Sequence, residues 1–195
     1  LKPKYIKSYK PKNLKIYTFN AGFKKKNNDL LVIVFNKKVP VANAYSLTST
    51  PSAPIIWDKK NNSNFCKILI VNSGNANAHT GKKGINQIEK YTKLASKIFQ
   101  CKKSEILVSS TGVIGEQLDS MKIINKLNCV SHSASKNIKE AANAIMTTDT
   151  FPKVEVAKIK YKSNQIVVYG FAKGSGMIAP NMGTMLAYIF IEAPL

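Results

Sequence analysis

A mixed α/β fold with helices packed on strands is what this sequence predicts, and three features carry the prediction. Two continuous runs of β-branched and apolar residues, Leu30 to Phe35 and Lys67 to Val71, end at Asn or Ser/Gly turn residues, as buried strands do. Two later stretches, about Ile85 to Phe99 and Ser133 to Met146, instead carry their apolar residues at helical spacing. The two kinds of segment alternate along the chain without an internal repeat or low-complexity linker. A chain of 195 residues that is 44% hydrophobic and 9% aromatic can bury a sizeable core as one or two domains, which excludes wholesale disorder.

Between the first two strands, Thr48 to Pro54 (TSTPSAP) reads as an irregular loop because it holds two prolines. After Val71 comes Asn72-Ser73-Gly74-Asn75-Ala76-Asn77-Ala78, a run of small and amide side chains that opens into the first helix. There Ile88, Tyr91, Leu94, Ala95 and Ile98 mark the apolar face. Ile106 to Val108 is the next strand, Ser109-Ser110-Thr111-Gly112 a turn, and Ile123, Ile124 and Leu127 a helical face. Ala141, Ala142, Ala144 and Ile145 support the second long helix, which stops near Thr147-Thr148-Asp149. Val154 to Tyr161 and Ile166 to Phe171 alternate around Lys162-Ser163-Asn164 and form a β-hairpin. Ala172 to Met177 is a turn, and a final strand runs from Met185 to Ile191. No helix follows to cover that strand, and the chain begins at Leu, so a fragment or processed product is expected.

The formal charge of +20 raises nucleic acid or an anionic membrane as a partner, yet all 30 basic residues are Lys. Without Arg, the residue best suited to bidentate readout of guanine or phosphate is missing, which argues against a sequence-specific nucleic-acid reader. The lysines fall in short clusters such as Lys24 to Lys26 and Lys82-Lys83, in the company of Asn and Ile. That pattern reads as drift toward A/T-rich codons. Neither a membrane span nor a signal-peptide core is present, and a soluble cytoplasmic protein is expected. Cys66, Cys101 and Cys129 lack metal or redox spacing, and with His79 and His132 far apart they suggest neither a disulfide framework nor a metal set. Buried free thiols are the default.

Chemistry can reside in four segments, each with a plainer alternative. Asn72 to Asn77 can present amides to a polar substrate or simply cap a helix. Ser110-Thr111-Gly112-Val113-Ile114-Gly115 can aim a hydroxyl and backbone N–H groups at an oxyanion or be a strand-to-loop turn. Lys173-Gly174-Ser175-Gly176 is not a Walker loop, because its Lys precedes the glycines. In Asn181-Met182-Gly183-Thr184-Met185-Leu186, Thr184 sits at the mouth of the last strand. If the Gly183-Thr184 bond is cut, the new α-amine, of unperturbed pKa about 7.7–8.0, can serve the Thr184 hydroxyl as general base. The alternative is an ordinary Gly-Thr strand start.

Four ordered motifs resemble the glutamate N-acetyltransferase (ornithine acetyltransferase) family of arginine biosynthesis. They are Val71 to Ala78, Ser110 to Gly115, Ala144 to Thr150 (AIMTTDT) and Ala172 to Leu186 (AKGSGMIAPNMGTML). Weaker similarity at Asn28-Asp29 and Thr48 to Pro54 extends the resemblance over nearly the whole chain. It implies an αββα-type sandwich similar to N-terminal-nucleophile hydrolases, and a precursor that cleaves itself before Thr184. Residues 1–183 would then be one α-chain domain and 184–195 the start of a β chain, the rest of which is absent. The implied reaction carries acetyl from N-acetylornithine to glutamate through an acetyl-threonine. By the same resemblance, Thr184 is the nucleophile, Thr111 and Gly112 form the oxyanion hole, and Thr147, Lys173 and Thr184 contact substrate. No metal or other cofactor is implied, although acetyl-CoA is a possible co-substrate. The partners are the β chain of the same precursor, in an α2β2 heterotetramer, with no nucleic acid and no membrane. Two departures stand out: Gly183 where the family usually has Ala, and Ile191-Glu192-Ala193 where it usually has Thr-Asp-Ala. An aminopeptidase of similar fold, a non-catalytic basic binding protein and an inactive α-chain remnant are the alternatives.

Overall fold

The computed structural model describes residues 8–175 and 184–193. β1 (Leu14–Phe19), β2 (Leu30–Pro40), β3 (Phe65–Asn75) and β4 (Ile106–Val113) form a four-stranded sheet in that order. The β1–β2 and β2–β3 pairs are antiparallel, and β3–β4 is parallel. Period-two alternation along these strands separates two cores. Tyr17, Leu30, Val32, Ile68, Ile70, Ile106 and Val108 face α1 (Ala53–Asn61), α2 (Gly81–Ile98) and α3 (Ser120–Leu127), where they meet Trp57, Ile88, Tyr91 and Ile123. Leu14, Ile16, Leu31, Ile33, Leu69, Val71 and Leu107 face the opposite way, toward α4 (Ile138–Ile145) and a second sheet.

The second sheet is β5 (Lys153–Tyr161), β6 (Asn164–Lys173) and β7 (Leu186–Glu192), all antiparallel, and β5 and β6 join through the two-residue loop Lys162-Ser163. Its inner face sends Tyr169, Phe171, Tyr188 and Phe190 into the shared core, where Tyr169 and Phe190 stack at 5.2 Å between ring centroids. Its outer face carries apolar residues as well, uncovered among the described residues: Ile159, Ile189 and Ile191 are 50%, 77% and 69% exposed. The far end of β7 is pinned by Glu192. Its carboxylate accepts from Tyr9 Oη at 2.6 Å, from the N–H groups of Lys12 and Asn13 at 3.2 and 3.3 Å, and from Tyr169 Oη at 3.4 Å.

Several expectations are corrected. Ser109 to Gly112 is not a turn but strand, because β4 pairs in parallel with β3 through Ser73↔Thr111 and Gly74↔Gly112. Ala172 and Lys173 likewise close β6 opposite Ala187 and Leu186. Ala53 and Pro54 leave the predicted loop and open α1, where Pro at the first turn lacks only an N–H that has no helical acceptor. The second long helix begins at Ile138 rather than near Ser133, because Asn137 and Glu140 form a reciprocal capping box. All three cysteines are free, but Cys101 is half-buried and Cys129 exposed. Only Cys66 fits the buried-thiol expectation, and burial pushes its thiol up to about 12, out of the reactive range. Among the described residues, no helix is long and apolar enough to cross a membrane, and no cluster of His, Cys, Asp and Glu could hold a metal ion.

Candidate active site

Lys173 ends β6 on the face turned toward the first sheet, and its side chain is buried. The ammonium donates to Thr111 Oγ1 at 3.1 Å, Thr147 Oγ1 at 2.8 Å and the Thr184 carbonyl at 3.2 Å. Four positions spread over more than seventy residues thus meet at one nitrogen. Each arrives on a different element: Thr111 on β4, Thr147 just after α4, Lys173 on β6 and Thr184 two residues before β7. Among the described residues, its three partners are neutral. Burial pulls its pKa below the ordinary lysine range; Asp149 opposes the shift and Lys153 adds to it.

Asp149 ties the surrounding backbone together. Its Oδ1 accepts from Lys153 Nζ at 2.6 Å and from the Gly174 N–H at 2.9 Å, while Oδ2 accepts from the Thr147 N–H at 3.3 Å. Burial alone would raise this carboxyl, but the bonds from Lys153, Gly174 and Thr147 outweigh it and hold it below the usual carboxylate range. Through this one side chain the neighbours of Lys173 and Thr147 are fixed to each other. Sequence reasoning assigned Asp149 no role, although it is one of only 10 acidic residues in the chain and lies inside a recognised motif.

Gly112 follows Thr111 with φ +131°, a conformation that side chains rarely adopt. A Cβ there would also lie 2.6 Å from the Asn75 nitrogen, so glycine is needed both for the backbone angle and for the close approach of β3 to β4. The amides of the Asn72 to Asn77 run are spent inside the protein. Asn72 Oδ1 accepts from Ser110 Oγ at 2.6 Å, Asn75 Nδ2 donates to the Glu116 carbonyl at 3.1 Å, and Asn77 Nδ2 donates to the Gly84 carbonyl at 3.2 Å. Neither reading of this run holds: Asn72 to Asn75 end β3, α2 is preceded by Thr80 rather than capped by an Asn of the run, and the side-chain bonds tie β3 to its neighbours beside Thr111. Thr111, Thr147, Lys173 and Thr184 are brought together as expected, with Gly112 adjoining Thr111. Gly183, the other half of the expected cleavage site, lies outside the described residues.

A helical layer on one side of a sheet and a second sheet stacked on the other, with a buried Lys-Thr cluster at their common edge, are three of the four layers of the class, an αββα-type sandwich of the N-terminal-nucleophile-hydrolase kind. The chain belongs to the ArgJ family, whose model matches residues 15–195. The arginine biosynthesis bifunctional protein ArgJ of Bradyrhizobium diazoefficiens is 43% identical over 185 residues, covering 93% of this chain and 45% of that protein. Its namesake in Mesorhizobium japonicum is 42% identical over 195 residues, covering 98% and 47%. The chain thus spans about half the length of the curated relatives it matches. Among solved structures, the arginine biosynthesis bifunctional protein ArgJ of Bacillus halodurans superimposes with a TM-score of 0.77 at 31% identity, over 90% of this chain and 92% of that one. The ornithine acetyltransferase of Mycobacterium tuberculosis, solved in complex with ornithine, gives 0.71 at 26% identity, over 90% and 94%.

Proposed function

We propose that this chain is the α-chain region, with the first residues of the β chain, of a glutamate N-acetyltransferase of arginine biosynthesis. In this reading the precursor cuts itself between Gly183 and Thr184. The observation that carries the reading is the Lys173 ammonium shared by Thr111, Thr147 and Thr184. A buried cation whose partners among the described residues are all neutral is a ready site for a carboxylate, and both N-acetylornithine and glutamate carry one.

The Thr184 hydroxyl attacks the acetyl carbonyl of N-acetylornithine and passes its proton to the Thr184 α-amine. The tetrahedral oxyanion rests on the Thr111 hydroxyl and the Gly112 N–H. Collapse breaks the amide bond, the leaving ornithine amine takes the proton back from the α-ammonium, and Thr184 remains acetylated on oxygen. The amine of glutamate then attacks the ester by the same steps in reverse, yielding N-acetylglutamate and free Thr184. Acetyl-CoA is an alternative donor, since its thioester carbonyl can occupy the same position.

A β chain making up the remaining length of the family's proteins suits the exposed apolar outer face of the second sheet, where Ile159, Ile189 and Ile191 lie open. Two such α/β units would pair as an α2β2 heterotetramer. Mass spectrometry of the full-length precursor tests the reading. The wild type should separate into two chains, the second beginning at Thr184, and that chain should gain one acetyl group when incubated with N-acetylornithine alone. Thr184→Ala should remain a single chain and transfer nothing. A wild type that stays intact and shows no transfer would overturn the reading.

A further inference from the structure

The peptide joining Met146 to Thr147 is gripped at both ends. Its N–H donates to Asp149 Oδ2 at 3.3 Å, and its carbonyl accepts from Lys24 Nζ at 3.1 Å. The same ammonium reaches the Ala144 carbonyl at 3.5 Å, which Ser73 Oγ also meets at 2.6 Å. Because α4 ends at Ile145, these carbonyls have lost the N–H donors that a continuing helix would supply. A cation suits that place also because the carbonyl end of a helix is partially negative.

Lys24 is itself held firmly. The fully buried Asp29 accepts the N–H groups of Ala21, Gly22, Phe23 and Lys24 at 2.6, 3.1, 2.7 and 2.8 Å, so the loop from which Lys24 projects is wrapped around one carboxylate. The loop also lies directly on the end of β3, where a Cβ on Gly74 would come within 2.8 Å of the Phe23 carbonyl oxygen. Burial draws the Lys24 ammonium below the usual lysine range, against the pull of Asp29. A lysine serving only solubility has no need of such surroundings.

We propose that Lys24 is a positioning residue for this site: together with Asp149 it fixes the Met146–Thr147 peptide, so that Thr147 Oγ1 stays within hydrogen-bond reach of Lys173 Nζ. Its kinetic consequence rests on the acetyl-transfer reading above. Without Lys24 the Met146 carbonyl turns toward water, the peptide rotates, and Lys173 loses one of its three partners. A misplacement of about 1 Å at such a distance from the chemistry can cost on the order of 100-fold in rate.

The test uses the full-length precursor as wild type, Lys24→Met, Thr147→Val and the double variant, with two readouts. One is kcat/KM for acetyl transfer. The other is the rate at which a small amine-reactive reagent labels Lys173, followed by peptide mass spectrometry, which needs no turnover. Lys24→Met should lower kcat/KM about 10- to 100-fold and speed Lys173 labelling, and the double variant should be no worse than Thr147→Val, because both changes act on one contact. Multiplicative losses in the double variant would overturn the proposal. So would a Lys24→Met protein that melts earlier while its labelling and its kcat/KM per folded molecule match the wild type. An inactive wild type would count against the acetyl-transfer reading alone, and labelling would still decide the role of Lys24. Should Lys24→Met fail to accumulate, Lys24→Gln carries the same expectations.

Discussion

In the first sheet, Leu30–Ile33 and Ile68–Val71 are covered on both faces, whereas in β7 Tyr188 and Phe190 are covered and Ala187, Ile189 and Ile191 face solvent. An antiparallel sheet with one wet face normally alternates apolar and polar residues. β7 does not: its sequence LAYIFIE is apolar at both kinds of position until Glu192. β7 therefore has the composition of a strand buried on both sides, yet among the described residues it is covered on one side only. The chemistry follows the same division. The fully packed sheet supplies Thr111 on a rigid strand, and the half-covered sheet supplies Lys173 at the end of β6, beside the strand that Thr184 precedes.

The largest expected effect separates site from scaffold. Lys173→Met in the full-length precursor should cut acetyl transfer about 100-fold or more, by analogy with the loss of a preorganised donor at a reacting centre. Its thermal midpoint should hold or rise, because a desolvated cation has been replaced by an apolar side chain of similar length. A collapse of stability in parallel with activity would mean that Lys173 belongs to the scaffold.

A middle-sized effect compares the two sheets directly by urea denaturation. Ile70→Ala, at the centre of the first sheet, should cost about 2–5 kcal/mol, the usual loss for a fully buried aliphatic residue. Ile189→Ser should cost within about 0.5 kcal/mol in the 195-residue chain. In the full-length precursor that second cost should rise to about 1–3 kcal/mol if the rest of the protein covers the outer face. An unchanged cost would show that the face stays wet.

A pH-dependent effect concerns Asp58, on α1 beneath the first sheet. Its carboxyl is buried and accepts the Val108 N–H at 3.1 Å; burial pushes it up to about 8, with that hydrogen bond working in the opposite direction. A folded-state pKa above the unfolded value means that the native state keeps a proton which the unfolded chain releases. The stabilisation is complete below about pH 4 and is lost as pH rises toward 8. Urea midpoints from pH 4 to 8 should therefore slope downward in the wild type and less steeply in Asp58→Asn. Equal slopes would place the carboxylate charge elsewhere.

What the sequence revealed depended on how local its cause was. β2, β3, α2 and the β5–β6 hairpin could be read from periodicity and turn residues, because the same burial pattern that stabilises them is written along them. β1 escaped because its LKIYTF mixes Lys with apolar residues, and α1 because APIIWDKKN gathers its apolar residues at one end. The strand at Ser109–Val113 escaped for another reason: small polar residues read as a turn, and only the parallel pairing with β3 makes them a strand. The site follows the same rule. Thr111 and Thr147 stand 62 and 26 residues from Lys173, a relation no local pattern encodes, so only the ordered motifs pointed to it. Lys24, one of 30 lysines, carried no mark of its own.

The pinning of Glu192 bears on what a cut beside Thr184 would do to the molecule. β7 is fastened by its ladder to β6, by aromatic stacking against Tyr169 and Phe171, and at its far end by Tyr9 and the backbone around Lys12. None of these fastenings runs through the connection between β6 and β7. Cutting that connection would make two polypeptides of one without changing the register that sets Thr184 beside Lys173. The new N-terminus would gain its freedom to react while its strand stayed moored, and separating the two pieces would require unzipping the whole ladder from Lys173↔Leu186 to Val167↔Glu192.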